Sequence, residues 1–216
     1  MQKLAFIHTV TGNADRFRAL ADKALGGWSS YAVVDESLLT DTIAGGSVAP
    51  RTAQRLTGYV FAAADNGASA IVVTCSTLGA VVDAIRPLSP VPLFRIDRGM
   101  AEEAVRRANR IGVLATLPTT LGPTTELLKQ AARESGKTCN ISQVLCDGAF
   151  DLPRAGDREG HNAAIRSGFA QLASGVDLIV LAQASMADAM SGEAPGVPHL
   201  TSPELGIAAI ARALSA

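Results

Sequence analysis

The chain has 216 residues, 48% of them hydrophobic and 18% charged, a balance that suits one large or two small folded domains and disfavours disorder. Nineteen basic residues against twenty acidic ones give a formal charge of −1, and no Lys/Arg run can track a phosphate backbone, which disfavours nucleic acid as a partner. The apolar start, Met1 to Ile7, is too short for a signal peptide, and no apolar run approaches the ~20 residues of a membrane span, so a cytoplasmic protein away from membranes is expected.

In chain order, short apolar runs bounded by turns predict strands over Leu4 to His8, Ser30 to Asp35, Ala68 to Thr74 and Pro92 to Ile96. Four more follow over Arg110 to Ala115, Ile141 to Leu145, Val176 to Ala182 and Pro198 to Thr201. Between them lie helical patterns. One follows Pro50, with Leu56, Tyr59, Val60 and Ala63 on one face, and stops at Asn66-Gly67. Another covers Met100 to Ala108. A third is expected to start after Gly122-Pro123, burying Leu127, Leu128, Ala131 and Ala132 until Gly136. A fourth places Ile165, Phe169 and Leu172 on one stripe before Gly175, and the last runs from Pro203 to Leu214. Each Gly that ends a helix can take the left-handed cap conformation without a Cβ penalty. Strand alternating with helix predicts an α/β fold of two parallel-sheet units.

The two units read as copies. Gly67-Ala-Ser-Ala-Ile-Val-Val-Thr-Cys75-Ser-Thr77 is echoed by Gly175-Val-Asp-Leu-Ile-Val-Leu-Ala-Gln183-Ala-Ser185, at an offset of 108 residues (183 − 75), half the chain. Pro90-Val-Pro92 and Gly196-Val-Pro198 correspond in the same way, each leading to a strand and then a helix. Two pseudo-twofold-related α/β halves are therefore expected, 1–97 and 98–203, with the C-terminal helix 204–216 packing on the first half. Ligands of open parallel sheets bind beyond the carboxyl ends of the strands, which puts Cys75 and Gln183 at a shared cleft between the halves.

Three cysteines, Cys75, Cys139 and Cys146, form no CxxC pair and are odd in number, so a disulfide framework and a zinc knuckle are both disfavoured. No His-x-x-x-His metal pair, Gly-rich dinucleotide fingerprint, P-loop or Gly-x-Ser-x-Gly elbow is found. No metal and no cofactor are expected.

Cys75 ends a strand just before a helix, where free N–H groups and the helix dipole favour a thiolate, and it is therefore a candidate base or nucleophile. Against this, free cysteine is among the residues most often buried as a small hydrophobe, the reading given to Cys139 and Cys146.

Ile71-Val-Val-Thr-Cys-Ser-Thr-Leu78, with Arg110-Ile-Gly-Val-Leu-Ala-Thr116 and Asp177-Leu-Ile-Val-Leu181, resembles the aspartate/glutamate/hydantoin racemase superfamily. His8-Thr9, Asp35-Glu36-Ser37, Ala115-Thr-x-x-Thr119 and Thr201-Ser-Pro203 extend the likeness over most of the chain. The resemblance implies two α/β domains around an interdomain site, no pyridoxal phosphate, and two cysteines on opposite sides of a substrate α-carbon. The chain departs from this pattern at Gln183, where the second cysteine belongs and where an amide cannot exchange a proton at useful pH. Related arylmalonate decarboxylases also keep one cysteine, on the other half, and maleate isomerases use the first-half thiol as a nucleophile.

Strand-end hydroxyls beside free backbone N–H groups suit a carboxylate held near an enolate-like transition state, where neutral donors suffice. Thr9, Ser76, Thr77, Thr116, Thr119, Thr120 and Ser185 are the candidates, though any one of them also reads as a helix N-cap. His8 is a further candidate for carboxylate binding or proton transfer, and equally a hydrogen-bonded structural histidine; His161 and His199 have weaker claims. Asp35 and Glu36 read either as amine ligands or as a loop-orienting turn. Asp97 and Arg98 close another strand without an assigned role. The expectation is a cofactor-independent racemase-type enzyme acting on a small carboxylate through Cys75, with Gln183 holding a substrate oxygen or nitrogen. The alternatives are a one-cysteine decarboxylase or cis-trans isomerase, or a catalytically silent carboxylate-binding protein. By family analogy a homodimer is possible.

Overall fold

The computed structural model describes residues 1–191 and 196–215. The chain divides into two compact units, Met1–Arg98 with Gly206–Ala216, and Gly99–Leu205. Unit 1 carries β1 (Gln2–His8), α1 (Asn13–Ala24), β2 (Trp28–Val34), α2 (Ser37–Gly45), α3 (Pro50–Asp65), β3 (Ala70–Val73), α4 (Gly79–Ile85) and β4 (Leu93–Arg95). Unit 2 carries α5 (Arg98–Arg107), β5 (Arg110–Ala115), α6 (Pro118–Glu134), β6 (Asn140–Leu145), α7 (Arg158–Ala173), β7 (Leu178–Leu181) and β8 (His199–Thr201); α8 (Ser202–Ser215) then leads into unit 1.

Each unit holds one four-stranded parallel sheet, ordered β2-β1-β3-β4 in the first and β6-β5-β7-β8 in the second. The inner strands β1, β3, β5 and β7 are buried along nearly their whole length, which is why they read as unbroken apolar runs rather than as alternating ones. In unit 2 one face of the sheet, Ile111, Val113, Ala115, Leu178 and Val180, packs with Met100 and Ala104 of α5 and Leu127, Leu128 and Ala131 of α6. The opposite face, Leu114, Ile179 and Leu181, packs with Ile165, Phe169 and Leu172 of α7. In unit 1, Leu4, Phe6, Ala70 and Val72 meet Phe17 and Ala21 of α1 together with Ile207 and Ile210 of α8.

The structure corrects the start of one helix and adds two others. The helix expected after Gly122-Pro123 begins earlier, at Pro118, because Leu117 is extended (φ −132°, ψ 132°) and Pro118 supplies a preset first helical residue; Pro123 lies inside the helix. Gly67 and Gly136 take the left-handed conformation (φ 79° and 66°), but Gly175 does not. There the chain closes with a Gly175 N–H bond to the Leu172 carbonyl while Ser174 stays right-handed, so the freedom of glycine is unused. The helices α1 and α2 are additional to those expected, and α4 is the helix expected after Cys75, entered through the 3-10 turn Ser76–Leu78. Among the described residues no helix is long and apolar enough to cross a membrane.

Candidate active site

Two positions past the last paired residues of the central strands, the units hold matching side chains. In unit 1 the β1/β3 ladder ends at Ile7 and Val73, followed two residues on by Thr9 and Cys75. In unit 2 the β5/β7 ladder ends at Leu114 and Leu181, followed two residues on by Thr116 and Gln183. The backbone continues identically, Thr74 N–H bonding the Ile7 carbonyl and Ala182 N–H the Leu114 carbonyl. Cys75 and Gln183 each stand extended before a 3-10 turn, Ser76–Leu78 and Ala184–Met190 respectively. A threonine from the neighbouring strand thus faces a cysteine in one unit and a glutamine in the other.

Cys75 is 9% exposed. Burial pushes its thiol above the usual cysteine range, and the Thr9 hydroxyl, the N–H groups of Leu78 and Thr77 and the Thr77 hydroxyl act against that shift by favouring the anion. The donors at the strand end do favour the anion, but desolvation outweighs them and leaves a neutral thiol. Such a group is an acid whose conjugate thiolate has donors waiting for it.

Gln183 is held at both ends of its amide. Its Oε1 accepts the Thr116 N–H at 2.7 Å, and its Nε2 donates to the Thr116 hydroxyl at 2.8 Å. One side chain thereby joins the ends of β5 and β7, with one amide hydrogen left over for another acceptor.

The other sequence candidates separate by position. Ser76 and Thr77 are buried in the turn after Cys75. Thr119 and Thr120 lie in the first turn of α6; the Thr119 Oγ1 is buried with no hydrogen-bond partner among the described residues, while Thr120 is 2% exposed. Ser185 is exposed, one residue into the turn after β7. His8 is turned away from Thr9 by the alternation of β1 and stacks on Phe6 at a centroid distance of 5.5 Å and lies 5.6 Å from Phe17. Its Nδ1 is 2.7 Å from the Thr74 hydroxyl, and burial lowers its pKa to about 4, so the ring is neutral.

The acidic pair after β2 is engaged within the unit. Asp35 accepts the Ser37 N–H (2.9 Å), the Ser37 hydroxyl (2.5 Å) and the Tyr59 hydroxyl (2.9 Å). Burial opposes its ionisation, but the Ser37 and Tyr59 bonds prevail and hold the carboxyl below the usual range. Glu36 accepts both the N–H and the hydroxyl of Thr11, tying the loop after β1 to the loop after β2. Sequence reasoning missed the buried Arg95 that pairs with Asp97 at the end of β4 (2.7 Å). An isolated Arg-Ile-Asp gave no sign that both charges point inward.

Comparison with known proteins bears on the whole chain. The family model Asp/Glu/Hydantoin racemase matches residues 14–210. No curated protein sequence matches the chain significantly. Among solved structures, glutamate racemase from Francisella tularensis subsp. tularensis in complex with D-glutamate superposes with a TM-score of 0.75 at 14% identity, covering 99% of this chain and 80% of that one. Aspartate racemase from Picrophilus torridus gives 0.74 at 12% identity, with 100% and 95% covered. Allantoin racemase from Klebsiella pneumoniae gives 0.62 at 18%, with 100% and 88% covered. At such identities the superpositions establish a shared fold, and the family match over nearly the full length establishes descent: the chain belongs to the Asp/Glu/Hydantoin racemase family of isomerases.

Proposed function

We propose that the protein is a racemase-type enzyme acting on a small carboxylate or amino-acid derivative, with the Cys75 thiol as its one proton-transferring side chain and no cofactor. In this reading both strand ends serve one substrate. The observation that carries the proposal is the unequal pair of strand ends, a thiol facing Thr9 in one unit and an amide locked to Thr116 in the other. A racemase-type step needs the α-proton taken on one face and a proton returned on the other: in this reading a water molecule on the Gln183 side takes the α-proton, and the buried neutral thiol, surrounded by Thr9, Thr77 and two N–H groups, delivers its own to the opposite face of the enolate-like carbon, the resulting thiolate being held by those donors until it recovers a proton from water. Ser76, Thr116, Thr119, Thr120 and Ser185 would supply neutral hydrogen bonds to the carboxylate, and the free amide hydrogen of Gln183 a further one.

A second reading draws on the same lock. Gln183 offers no proton acceptor, which favours a reaction needing a proton on one face only. In a decarboxylase of a malonate-type acid, the C–C bond breaks to release CO2, its electron pair forms an enediolate, and the Cys75 S–H proton adds to the α-carbon. A cis-trans isomerase would instead use the thiolate as a nucleophile that adds to and leaves the alkene.

Cys75→Ser is expected to lower turnover about a thousandfold or more while carboxylate-induced thermal stabilisation persists; undiminished turnover would end the assignment. Gln183→Cys recreates a Cys/Thr pair in unit 2 and is expected to add exchange of the α-proton on the second face, followed by NMR in D2O. Loss of a one-sided deuterium pattern supports the racemase-type reading, and CO2 release supports the decarboxylase.

A further inference from the structure

Arg95, at the end of β4, is 5% exposed, and its partner Asp97 is 1% exposed. The guanidinium makes three bonds to carboxylates: Nε donates to Asp97 Oδ1 at 2.7 Å, Nη2 to Asp97 Oδ2 at 2.9 Å, and Nη1 to Asp83 Oδ2 at 2.5 Å. Asp83, on α4, also pairs with Arg86 at 2.7 Å. A buried ion cluster of this kind contributes little net stability over a well-packed apolar replacement, so its geometry is the informative part.

That geometry is set against the turn that carries the thiol's donors. A Cβ placed on Gly79 would lie 2.1 Å from Arg95 Nη2, 2.2 Å from Cζ and 2.8 Å from Nε, so the flat guanidinium lies directly on the glycine backbone. Gly79 has an ordinary right-handed conformation (φ −57°, ψ −39°), which leaves close approach, not backbone freedom, as the reason only glycine fits. Its N–H bonds the Ser76 carbonyl and so closes the turn Ser76–Leu78, in which Leu78 N–H bonds the Cys75 carbonyl at 3.1 Å. Across the sheet Arg95 pairs with Val73, two residues before Cys75.

We propose that Arg95 is a positioning residue for Cys75: its guanidinium, gripped by Asp97 and Asp83 and lying on Gly79, fixes the turn that aims the Thr77 and Leu78 N–H groups at the sulfur. Arginine is required because a lysine ammonium has neither the flat face nor the two parallel donors toward Asp97. The inference rests on Cys75 being the working thiol, and the test separates the two claims. Alkylation of Cys75 by iodoacetamide is followed against pH by peptide mass spectrometry, which needs no turnover, alongside kcat and KM.

In Arg95→Lys and in Gly79→Ala the alkylation midpoint is expected to rise by about one pH unit as the donors lose aim. In both, kcat is expected to fall about tenfold with KM within about twofold. Because both substitutions act through one contact, the double variant is expected to be no worse than the poorer single one. Gly79→Ala keeps every charge but crowds the guanidinium, so if neither variant folds, Asp83→Asn, at the partly exposed end of the cluster, carries the test: its midpoint is expected to rise in the same direction, and an unchanged one overturns the proposal. An unchanged midpoint in the folded Gly79→Ala protein, or additive effects in the double variant, overturns the proposal. A Cys75→Ser protein that still turns over overturns the functional reading alone, since the alkylation midpoint reports on Arg95 either way.

Discussion

His8 and Thr9 are neighbours in sequence with opposite surroundings. Thr9 acts on the Cys75 sulfur, whereas His8 is wedged between Phe6 and Phe17, neutral and shut off from water. Its pKa is about 4 in the folded protein against 6.5 for the ordinary side chain, so between those values the unfolded chain binds a proton that the folded one refuses. The contribution is complete above about pH 6.5 and is lost as pH falls toward 4. Urea unfolding at pH 7 and pH 4.5 is expected to show about 2 kcal/mol more acid destabilisation in the wild type than in His8→Gln; equal slopes would place His8 in contact with solvent. Such distinctions were beyond the sequence, which offered His8 and Thr9 as equal candidates. Cys75 stood out from its own neighbours in the chain, but the groups that set its protonation come partly from Thr9, 66 residues earlier, and become visible only once β1 and β3 are aligned. Gln183 was legible as the odd residue of the repeat; its lock on Thr116 depends on the β5/β7 register and was not.

At the scale of elements, the inner strands β1, β3, β5 and β7 were the most legible, because parallel strands covered on both faces are short, unbroken apolar runs between turns. The helices were less so. α4 follows the Cys75 turn immediately and spans only Gly79–Ile85, too short for a periodic stripe to emerge. In α6 two prolines competed as starting points, and the second, preceded by glycine, was the more conspicuous in sequence; the structure uses Pro118 and carries Pro123 within the helix. There Pro123 lacks the N–H that would bond the Thr119 carbonyl one turn earlier. Pro123→Ala restores that donor and is expected to stabilise the protein by about 1 kcal/mol, after allowing for the looser unfolded chain, read as a rise in the urea midpoint. A fall would show that the Thr119 carbonyl needs to stay open, next to a hydroxyl that already lacks a partner among the described residues.

At the scale of the molecule, the duplication is one of architecture with a chemical asymmetry at matching strand ends: two sheets of equivalent strand order, two threonines at equivalent strand ends, one thiol and one amide. The halves also differ in how they are assembled. Unit 2 is one continuous stretch, whereas unit 1 is complete only with α8, whose Ile207 and Ile210 fill the core beside Leu4, Phe6 and Val72. Within unit 1, Gly206 of α8 is pressed on the Ile96 carbonyl, where an added Cβ would stand 2.0 Å from the oxygen. Synthesis on the ribosome runs from N- to C-terminus, so residues 1–98 must wait for α8, which is made only after the whole of unit 2. A nascent chain arrested with Leu205 just outside the exit tunnel should therefore resist protease over unit 2 and be cut within residues 1–98; the reverse pattern would mean that the first half closes its core without its final helix.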